Sequence, residues 1–285
     1  EIGWNHMGDM ELAKRMAYEA KDSGADIVKT QTFNVSRLKA GPWDTDGRRE
    51  IYEKAQLSLE QHIELRDYCN DIEVQFMSSV FSIDDAKLLE QVETDMVKIP
   101  SMESRNKELI DFCTNSFDKL IVSTGTSTWN EIRDNTIKIN ESNPYSRNKD
   151  TKLVLLHCVS SYPCDFDMIN LPRIRDLQRL SLSVGFSDHT LGVETSILSL
   201  GYNIDYIEKH FTVDNNLPGR DNKFAILPDE LKKLKIPHMG WNLIKPNKDH
   251  HLFNNLSENS RFYFVHSYYV SCKDSSDSIA TTKYG

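Results

Sequence analysis

Two stretches, Gly185-Phe-Ser-Asp-His-Thr190 and Asp205-Tyr-Ile-Glu-Lys-His-Phe-Thr212, each combine a short apolar strand with a histidine at its end. The first strand runs into His189 and the second into His210. Two imidazoles at the carboxyl ends of neighbouring parallel strands can bind one divalent cation and leave positions open for water and substrate. The alternative is two unrelated histidines at strand ends. Lys, Ser or Gln at the ends of other strands favours the metal site.

Short apolar strand segments alternate with helical patterns along residues 1–234. We place the strands at residues 1–3, 26–31, 74–79, 96–99, 120–125, 153–158, 182–187 and 205–209. Eight strands with intervening helices predict an α/β fold, a closed (β/α)8 TIM barrel that lacks a complete eighth helix. The alternative is a doubly wound open sheet. The absence of a glycine-rich dinucleotide fingerprint disfavours that sheet.

Polar side chains stand at or just beyond the carboxyl ends of these strands, where TIM barrels place their active sites. They are Lys29, Gln31, Ser79, Lys98, Ser101, Ser123, Ser160, Ser187, His189, Lys209 and His210. A buried lysine is costly unless an anion compensates it, so Lys29 and Lys98 predict a bound phosphate or carboxylate. Small hydroxyl groups between them would supply neutral donors. The alternative is that each lysine extends from its strand end to solvent.

Composition limits the classes of partner. The 285 residues carry a net charge of −9 and no block of Lys or Arg, so we expect neither nucleic acid nor a membrane as partner. Five cysteines without metal or disulfide spacing indicate a reduced, cytoplasmic protein. The sequence opens at Glu1 without an initiator Met, so we expect residues to precede it.

Other candidate residues carry less weight. Cys158 beside His157 resembles a Cys/His nucleophile pair, but adjacent residues of a strand point to opposite faces. Two roles remain open for the tryptophans Trp4, Trp43 and Trp129: lining a sugar site, or packing in the core or a loop. We expect three histidines at the surface, namely His62, His250 and His251.

Seven motifs follow one another in an order that resembles the sialic acid synthase family. They are Glu1-Ile-Gly-Trp-Asn-His6, Gly24-Ala-Asp-Ile-Val-Lys-Thr-Gln-Thr-Phe33, Val97-Lys-Ile-Pro-Ser101, Val122-Ser-Thr-Gly125, His157-Cys-Val-Ser-Ser-Tyr-Pro163, Gly185-Phe-Ser-Asp-His-Thr190, and Ile207-Glu-Lys-His-Phe-Thr212 followed by Leu217-Pro-Gly-Arg-Asp221. The resemblance covers about residues 1–234. It implies a barrel that condenses phosphoenolpyruvate with an open-chain N-acyl amino sugar and releases phosphate.

The resemblance also implies a role for each matched residue. His189 and His210 would bind Mn2+ or Mg2+, which polarises the sugar aldehyde as a Lewis acid. Glu1 matches the carboxylate that activates the water added at C2. The catalytic set is Glu1, Lys29, Lys98, His189 and His210. The phosphoenolpyruvate positions are Lys29, Ser79, Lys98, Ser101, Ser123 and Ser187, and the acceptor-sugar positions are Gln31, Ser160, Tyr162 and Asp221.

Two residues depart from the family pattern on the acceptor side. Ser160 stands where Asn is frequent, and Asn222 stands where His often follows the Asp. Since the Ser160 form also occurs in relatives that use di-N-acylated deoxysugars, legionaminate-like and pseudaminate-like products stay open beside N-acetylneuraminate.

The family dimerises and uses a small antifreeze-like domain to supply an Arg to the partner's sugar site. We expect this chain to lack that domain. A catalytically impaired barrel that binds ligand without turnover is therefore an alternative. A relative of the 3-deoxy-sugar phosphate synthases is another.

Residues 235–285 change character and carry two motifs of a different kind. The motifs are Ile236-Pro-His-Met-Gly-Trp-Asn242 and Phe262-Tyr-Phe-Val-His-Ser-Tyr-Tyr-Val270. They resemble the glutamine amidotransferase subunit of imidazole glycerol phosphate synthase. Cys272 has no nucleophile elbow around it and His266 is not in that family's catalytic motif, so we expect no glutaminase activity. We expect a short foreign α/β fragment that is not an autonomous domain, and the abrupt join favours a fused fragment or an assembly error over a functional fusion.

Overall fold

The structure is a computed structural model that describes residues 1–38, 40–142, 152–234, 238–246 and 260–266, with single residues at 250, 253, 257, 278, 280 and 281. The chain divides into two compact units, Glu1–Lys232 and Lys233–Gly285. The predicted boundary lay after residue 234. The predicted origin of the second segment stays a prediction.

In the described part of the first unit, seven parallel strands pair in chain order. They are β1 (Ile27–Thr32), β2 (Gln75–Val80), β3 (Met96–Ile99), β4 (Lys119–Ser123), β5 (Leu153–Cys158), β6 (Ser183–Asp188) and β7 (Tyr206–Lys209). Helices follow the strands and pack outside them, and nearly every strand is buried on both faces. The predicted TIM-barrel fold is confirmed.

The first three residues close the ring between β1 and β7. The backbone nitrogen of Ile2 donates to the Lys29 carbonyl at 2.9 Å. On the other side, the backbone nitrogen of Glu1 donates to the Lys209 carbonyl at 2.8 Å, and Phe211 donates to the Glu1 carbonyl at 2.7 Å. The segment forms only an isolated bridge at Gly3, whose φ of 51° turns the chain out of the extended conformation.

Several helices of the first unit begin at a residue whose side chain caps them. Asp9 accepts from the Leu12 nitrogen at 3.0 Å at the start of α1. The helices are α1 (Met10–Asp22), α2 (Arg48–Ala55), α3 (Leu59–Asp71), α4 (Ile83–Gln91), α5 (Lys107–Ser116), α6 (Trp129–Ser142), α7 (Arg173–Leu177), α8 (Glu194–Ser199) and α9 (Pro228–Lys233). The helix that follows β7 therefore has six residues.

An apolar layer fills the inside of the barrel and carries a polar layer above it. The apolar layer consists of Met77, Met96, Ile121, Val154 and Leu156, with Ile27 and Tyr206 packed against it. Residues two positions further along a strand point to the same face. That step leads from these residues to Lys29, Ser79, Lys98, Ser123, Cys158 and Glu208. The fold thus places charged and hydroxyl groups together at the carboxyl ends of the strands.

His62 lies inside the fold, so the prediction of a surface histidine is wrong. Its side chain on α3 is fully buried. Nε2 lies 2.9 Å from the Thr32 hydroxyl and Nδ1 lies 2.8 Å from the Ser58 carbonyl. Both ring nitrogens have partners, so the imidazole can be buried without an unsatisfied polar atom. Burial lowers its pKa.

The described residues of the second unit form two antiparallel strand pairs. β8 (His238–Leu243) pairs with β10 (Arg261–His266), and β9 (Lys245–Pro246) pairs with β11 (Ala280–Thr281). Residues 236, 237 and 267–270 of the two predicted amidotransferase motifs, together with His251 and Cys272, lie outside the described residues. Among the residues that are described, no helix of the chain is both long and apolar enough to cross a membrane.

Gly185 offers a test of the packed barrel interior. A Cβ at this position would lie 2.5 Å from the Tyr206 carbonyl oxygen and 2.6 Å from Cδ2 of Leu156. We expect Gly185→Ala to lower the free energy of unfolding by about 1 to 3 kcal/mol, because overpacking moves backbone and side chains. Urea unfolding followed by circular dichroism measures the change.

Gly201→Ala is the matched control, since no atom lies within 4 Å of the position that its methyl group would take. It should leave stability unchanged or raise it by up to about 1 kcal/mol. Equal unfolding midpoints for the two variants would contradict the packing of this interior.

Candidate active site

Two lysines and two glutamates form a buried network above the apolar layer. Nζ of Lys29 lies 2.7 Å from Oε2 of Glu1 and 3.4 Å from Oε2 of Glu208. Nζ of Lys98 donates to both carboxylate oxygens of Glu208, at 2.7 and 2.9 Å. The lysines are 4% and 3% exposed. The network therefore holds equal numbers of positive and negative charges away from water.

Neutral side chains complete the bonding of this network. Lys29 also donates to the Ser79 hydroxyl at 3.0 Å. Gln31 donates to Oε1 of Glu1 at 2.7 Å. Ser187 donates to Oε1 of Glu208 at 2.7 Å, which links β6 to β7 on the inside of the barrel.

The charges in the network hold one another ionised. Burial raises the pKa of Glu208, but Lys29 and Lys98 outweigh burial and hold that pKa well below its usual range. The same balance, dominated after burial by Lys29, lowers the pKa of Glu1. Burial lowers the pKa of Lys29, and the two carboxylates outweigh it and raise that pKa. Each of these three groups is therefore charged at neutral pH.

Glu208 is the residue that sequence reasoning missed. The lysines indicated a bound anion, and the structure provides side-chain carboxylates as their counter-ions. The signal was the spacing to His210: a residue two positions before an inward-facing one also faces inward. Lys209 was predicted at the rim instead, and that prediction is wrong. Its side chain points out of the barrel, where Nζ donates to Oδ2 of Asp188 at 2.9 Å.

The two predicted metal ligands lie side by side beyond the ends of β6 and β7. The ring centroids of His189 and His210 are 5.8 Å apart. Imidazoles that share one ion through nitrogens about 2.0 to 2.1 Å from it have centroids roughly 5 to 6 Å apart. Both rings are buried. The separation therefore fits a common cation.

Hydrogen bonding at the two rings also fits a metal site. Nδ1 of His189 lies 2.8 Å from the Val159 carbonyl, and a proton donated there leaves Nε2 for an ion. Nδ1 of His210 is buried and has no hydrogen-bond partner among the described residues. Burial lowers the pKa of His210 to about 3, so this ring is neutral at pH 7. A neutral imidazole is the form that binds a metal.

Cys158 changes the electrostatics of the first ring. Its sulfur lies 3.9 Å from Nδ1 of His189, and Cys158 faces inward while His157 faces outward and bonds to the Ile169 carbonyl at 2.6 Å. Burial lowers the pKa of His189, but the Cys158 sulfur and the Val159 carbonyl outweigh burial and raise it. A metal ion would compete with a proton at this ring.

The protein would supply two ligands to such an ion. In the part of the chain that the structure describes, no group of three or more His, Cys, Asp or Glu side chains is arranged to hold a metal. Oε2 of Glu1 is 3.9 Å from Nε2 of His210, and Oδ2 of Asp221 is 3.8 Å from Nδ1. The remaining coordination positions would go to water or substrate.

Hydroxyl groups line the side of the site next to β3 and β4. The Ser101 hydroxyl accepts from the Gly125 nitrogen at 3.0 Å. A Cβ on Gly125 would lie 2.9 Å from the Ser101 hydroxyl and 2.8 Å from the Ser160 hydroxyl, so glycine allows these groups to approach. The Ser123 hydroxyl is buried without a hydrogen-bond partner among described residues. An unpaired buried hydroxyl can donate to an oxygen of a bound anion.

Tyr162 and Asp221 lie next to the histidine pair. The Tyr162 ring centroid is 4.0 Å from that of His189 and 6.1 Å from that of His210, and 37% of the residue is exposed. Burial and the nearby Glu1 carboxylate raise the pKa of Asp221 to about 6, although Arg220 acts in the opposite direction. Tyr162 therefore lies on the solvent side of the histidines and Ser160 is exposed, whereas Gln31 lies within the charged network.

Comparison with known proteins identifies the family. Residues 16–238 match the model of the NeuB family. The chain belongs to the NeuB family. This NeuB-family chain is 37% identical over 247 residues to the N,N'-diacetyllegionaminic acid synthase of Legionella pneumophila, which covers 82% of this chain and 68% of the relative. It is 32% identical over 238 residues to the pseudaminic acid synthase of Helicobacter pylori, with 79% and 68% covered.

Solved structures of NeuB-type proteins share its fold. The crystal structure of the N-acetylneuraminic acid synthetase from Leptospira borgpetersenii, in complex with citrate, aligns with a TM-score of 0.72 at 30% identity and covers 82% of this chain and 79% of that one. The predicted membership of residues 1–234 in the sialic acid synthase family is confirmed. A 3-deoxy-D-arabino-heptulosonate 7-phosphate synthase from Thermotoga maritima, at 12% identity and a TM-score of 0.63, shows the fold alone.

The raised pKa of Asp221 predicts how stability depends on pH. Its folded pKa of about 6 lies above the ordinary 3.8, so the wild type loses stability as pH rises from about 4 to about 6. Asp221→Asn removes this cost. We expect the variant to unfold with a free energy roughly 1 to 3 kcal/mol higher at pH 7 and to lose that advantage by pH 4.

Urea titrations at several pH values measure the difference. Asp26→Asn, at an exposed carboxylate, is the control and should show no such window. An Asp221→Asn advantage that grows toward low pH would contradict the assigned environment.

Proposed function

We propose that the barrel condenses phosphoenolpyruvate with an open-chain N-acyl amino sugar and releases phosphate, as a step of nonulosonic (sialic-type) acid biosynthesis. The observation that carries the proposal is the placement of Lys29 and Lys98 beside His189 and His210 in one buried site of a NeuB-family barrel. Ammonium groups suit an anion, and a pair of imidazoles suits a cation. The cytoplasm is the compartment we propose for it, which agrees with the free cysteines Cys69, Cys113, Cys158 and Cys164.

Binding of phosphoenolpyruvate would proceed by exchange of partners. Lys98 is bonded to Glu208 through both carboxylate oxygens, so an incoming phosphate or carboxylate must share or replace these bonds. Lys29 can take part in the same exchange, because its contact with Glu208 is longer, at 3.4 Å, and therefore weaker. The hydroxyls of Ser79, Ser101, Ser123 and Ser187 would supply neutral donors to the anion.

Binding would also change the basicity of Glu1. Lys29 outweighs the effect of burial and lowers the pKa of Glu1, which makes Glu1 a weak base. A bound anion would offset the positive charge of Lys29 and raise the pKa of Glu1 toward its usual value. Glu1 could then accept a proton from the water that adds at C2. Gln31, bonded to its other oxygen, would hold the carboxylate in place.

His189 and His210 would hold Mn2+ or Mg2+. The bound ion would act as a Lewis acid that makes the aldehyde of the open-chain sugar electrophilic toward C3 of phosphoenolpyruvate. The chain's own residues orient the acceptor. Tyr162 covers the histidines from the solvent side, and Asp221 stands 3.8 Å from the second ring.

The acceptor we favour is a di-N-acylated amino sugar. The relative at 37% identity is named for a product with two acetyl groups, and the relative at 32% identity is named a pseudaminic acid synthase. N-acetylmannosamine is the acceptor to compare with it. Ser160, exposed at the acceptor side, is the residue whose contacts would differ between the two sugars.

Release of phosphate tests the proposal. We expect it only when phosphoenolpyruvate, Mn2+ and an N-acyl amino sugar are all present. Lys98→Met should weaken phosphoenolpyruvate binding at least about tenfold, because a charge-assisted bond is lost. Lys119→Met is the matched control: Lys119 begins β4 at the opposite end of the barrel and bonds to the Tyr206 hydroxyl at 3.2 Å. Calorimetry with phosphoenolpyruvate measures both variants.

Three outcomes would point elsewhere. A folded sample that releases no phosphate with any of the sugars contradicts a synthase. Thermal stabilisation by phosphoenolpyruvate and Mn2+ without turnover indicates a barrel that binds ligand only. Preference for arabinose 5-phosphate moves the activity to the 3-deoxy-sugar phosphate synthases.

A further inference from the structure

An ion pair on the outer face of the barrel joins the strands that carry the two histidines. The register of β6 and β7 places Asp188 opposite Lys209, and Nζ of Lys209 donates to Oδ2 of Asp188 at 2.9 Å. The residues are 1% and 7% exposed. His189 and His210 are the residues that directly follow the two strands. The ion pair therefore lies one position before the proposed cation ligands, on the opposite face of the sheet.

The pair also holds the turn that follows the first histidine. Oδ1 of Asp188 accepts from the Thr190 nitrogen at 2.9 Å and from its hydroxyl at 2.8 Å. Nζ of Lys209 donates to the Thr190 carbonyl at 2.7 Å. Oδ2 of Asp188 accepts from the Thr195 hydroxyl at 2.7 Å and from the Ser196 hydroxyl at 2.5 Å at the start of α8. His189 is thus fixed through the residue on each side of it.

The backbone of His210 is held by this pair on one side and by a second bond on the other, since the His210 carbonyl accepts from the Ile226 nitrogen at 2.8 Å. The ladder between β6 and β7 ends at Asp188 and Lys209, so no ladder bond joins the histidines themselves. Nδ1 of His189 bonds to the Val159 carbonyl, whereas Nδ1 of His210 has no hydrogen-bond partner within the described chain. The place of the second ring therefore follows from its backbone, which the ion pair of Lys209 and the bond from Ile226 hold together.

We propose that the Asp188–Lys209 pair positions the two imidazoles and thereby sets the affinity of the site for its cation. The inference rests on the proposed function in one respect, the binding of Mn2+ by His189 and His210. A buried ion pair seldom adds much to stability, because apolar residues of similar volume at the same positions often give an equally stable protein. Residues that orient metal ligands without touching the metal commonly contribute tenfold to a hundredfold in affinity, on the order of 1.4 to 2.8 kcal/mol.

The decisive variant removes both charges together. Lys209→Met alone leaves a buried unpaired carboxylate and can unfold the barrel. In the double variant Asp188→Asn with Lys209→Met, the Asn oxygen still accepts from Thr190 and its amide can donate to the hydroxyls of α8. The tie between the strands is then lost while the local bonding of β6 is kept.

Titration with MnCl2, followed by electron paramagnetic resonance and calorimetry, measures the effect without turnover. We expect the Mn2+ dissociation constant of the double variant to rise about tenfold to a hundredfold. Phosphoenolpyruvate binding in the absence of metal should change by less than about twofold, because Lys209 does not contact the anion site. A general loss of stability would weaken the binding of both ligands, so a loss confined to Mn2+ is not expected from it.

The matched control breaks a hydrogen bond between the same two neighbouring segments, at the amino ends of β6 and β7 instead of their carboxyl ends. The Ser183 hydroxyl donates to Oδ2 of Asp205 at 2.8 Å, at the amino ends of β6 and β7. Ser183→Ala should leave the Mn2+ affinity unchanged. Should the double variant fail to fold, Thr190→Val keeps both charges, removes the hydroxyl bond to Asp188, and should weaken Mn2+ binding in the same direction by a smaller factor.

Each other result decides against the inference. If the folded double variant binds Mn2+ with wild-type affinity, the inference is overturned and the proposed function stands. The same holds for Thr190→Val when only that variant folds. An equal loss of Mn2+ binding in Ser183→Ala shows a merely structural effect and also overturns it. A wild-type protein that binds phosphoenolpyruvate and takes up no Mn2+ overturns both the inference and the metal part of the proposed function.

Discussion

The balanced burial of four charges is the constraint on which the rest of the barrel depends. Lys29, Lys98, Glu1 and Glu208 are removed from water, and removal of a single partner would leave an uncompensated charge in a medium of low dielectric constant. The same residues also hold the fold together. The backbone of Glu1 closes the ring between β1 and β7, while its side chain neutralises Lys29. Closure of the barrel and assembly of the site are therefore one event.

The sequence predicted where along the strands the polar layer lies, because side chains alternate between the two faces of a strand every two residues. An apolar residue followed two positions later by Lys, Ser or His indicates an inward face that changes from core to site, as in Met96 and Lys98. Which face of the sheet or helix a side chain occupies was harder to predict than its position along the barrel axis. Lys209 was placed with the site because it ends a strand, although counting back from His210 puts Glu208 inside. His62 was placed outside because a helix pattern alone does not show which strand its polar face will meet.

The pairing of the charges could not be read from the sequence, because it depends on contacts between segments far apart in the chain. A buried lysine requires an anion, but the sequence does not say whether that anion is a ligand or a side chain. Glu1 approaches Lys29 only when the ring closes, and Glu208 reaches Lys98 only across the inside of the barrel. This distinction changes the view of the proposed substrate binding: an anion would enter by exchange with a carboxylate, because both lysines are already paired.

The register of β6 and β7 joins the anion site to the histidine pair. Ser187 lies opposite Glu208 on the inside, where they share a hydrogen bond, and the next pair of residues forms the ion pair on the outside. The histidines come one step later on the inside again. A slip of one residue would turn every one of these side chains to the wrong face, so a single pairing of strands determines the proposed anion site, the ion pair and the proposed cation site together. The two strand-end motifs thus specify the fold and the chemistry through the same alternation.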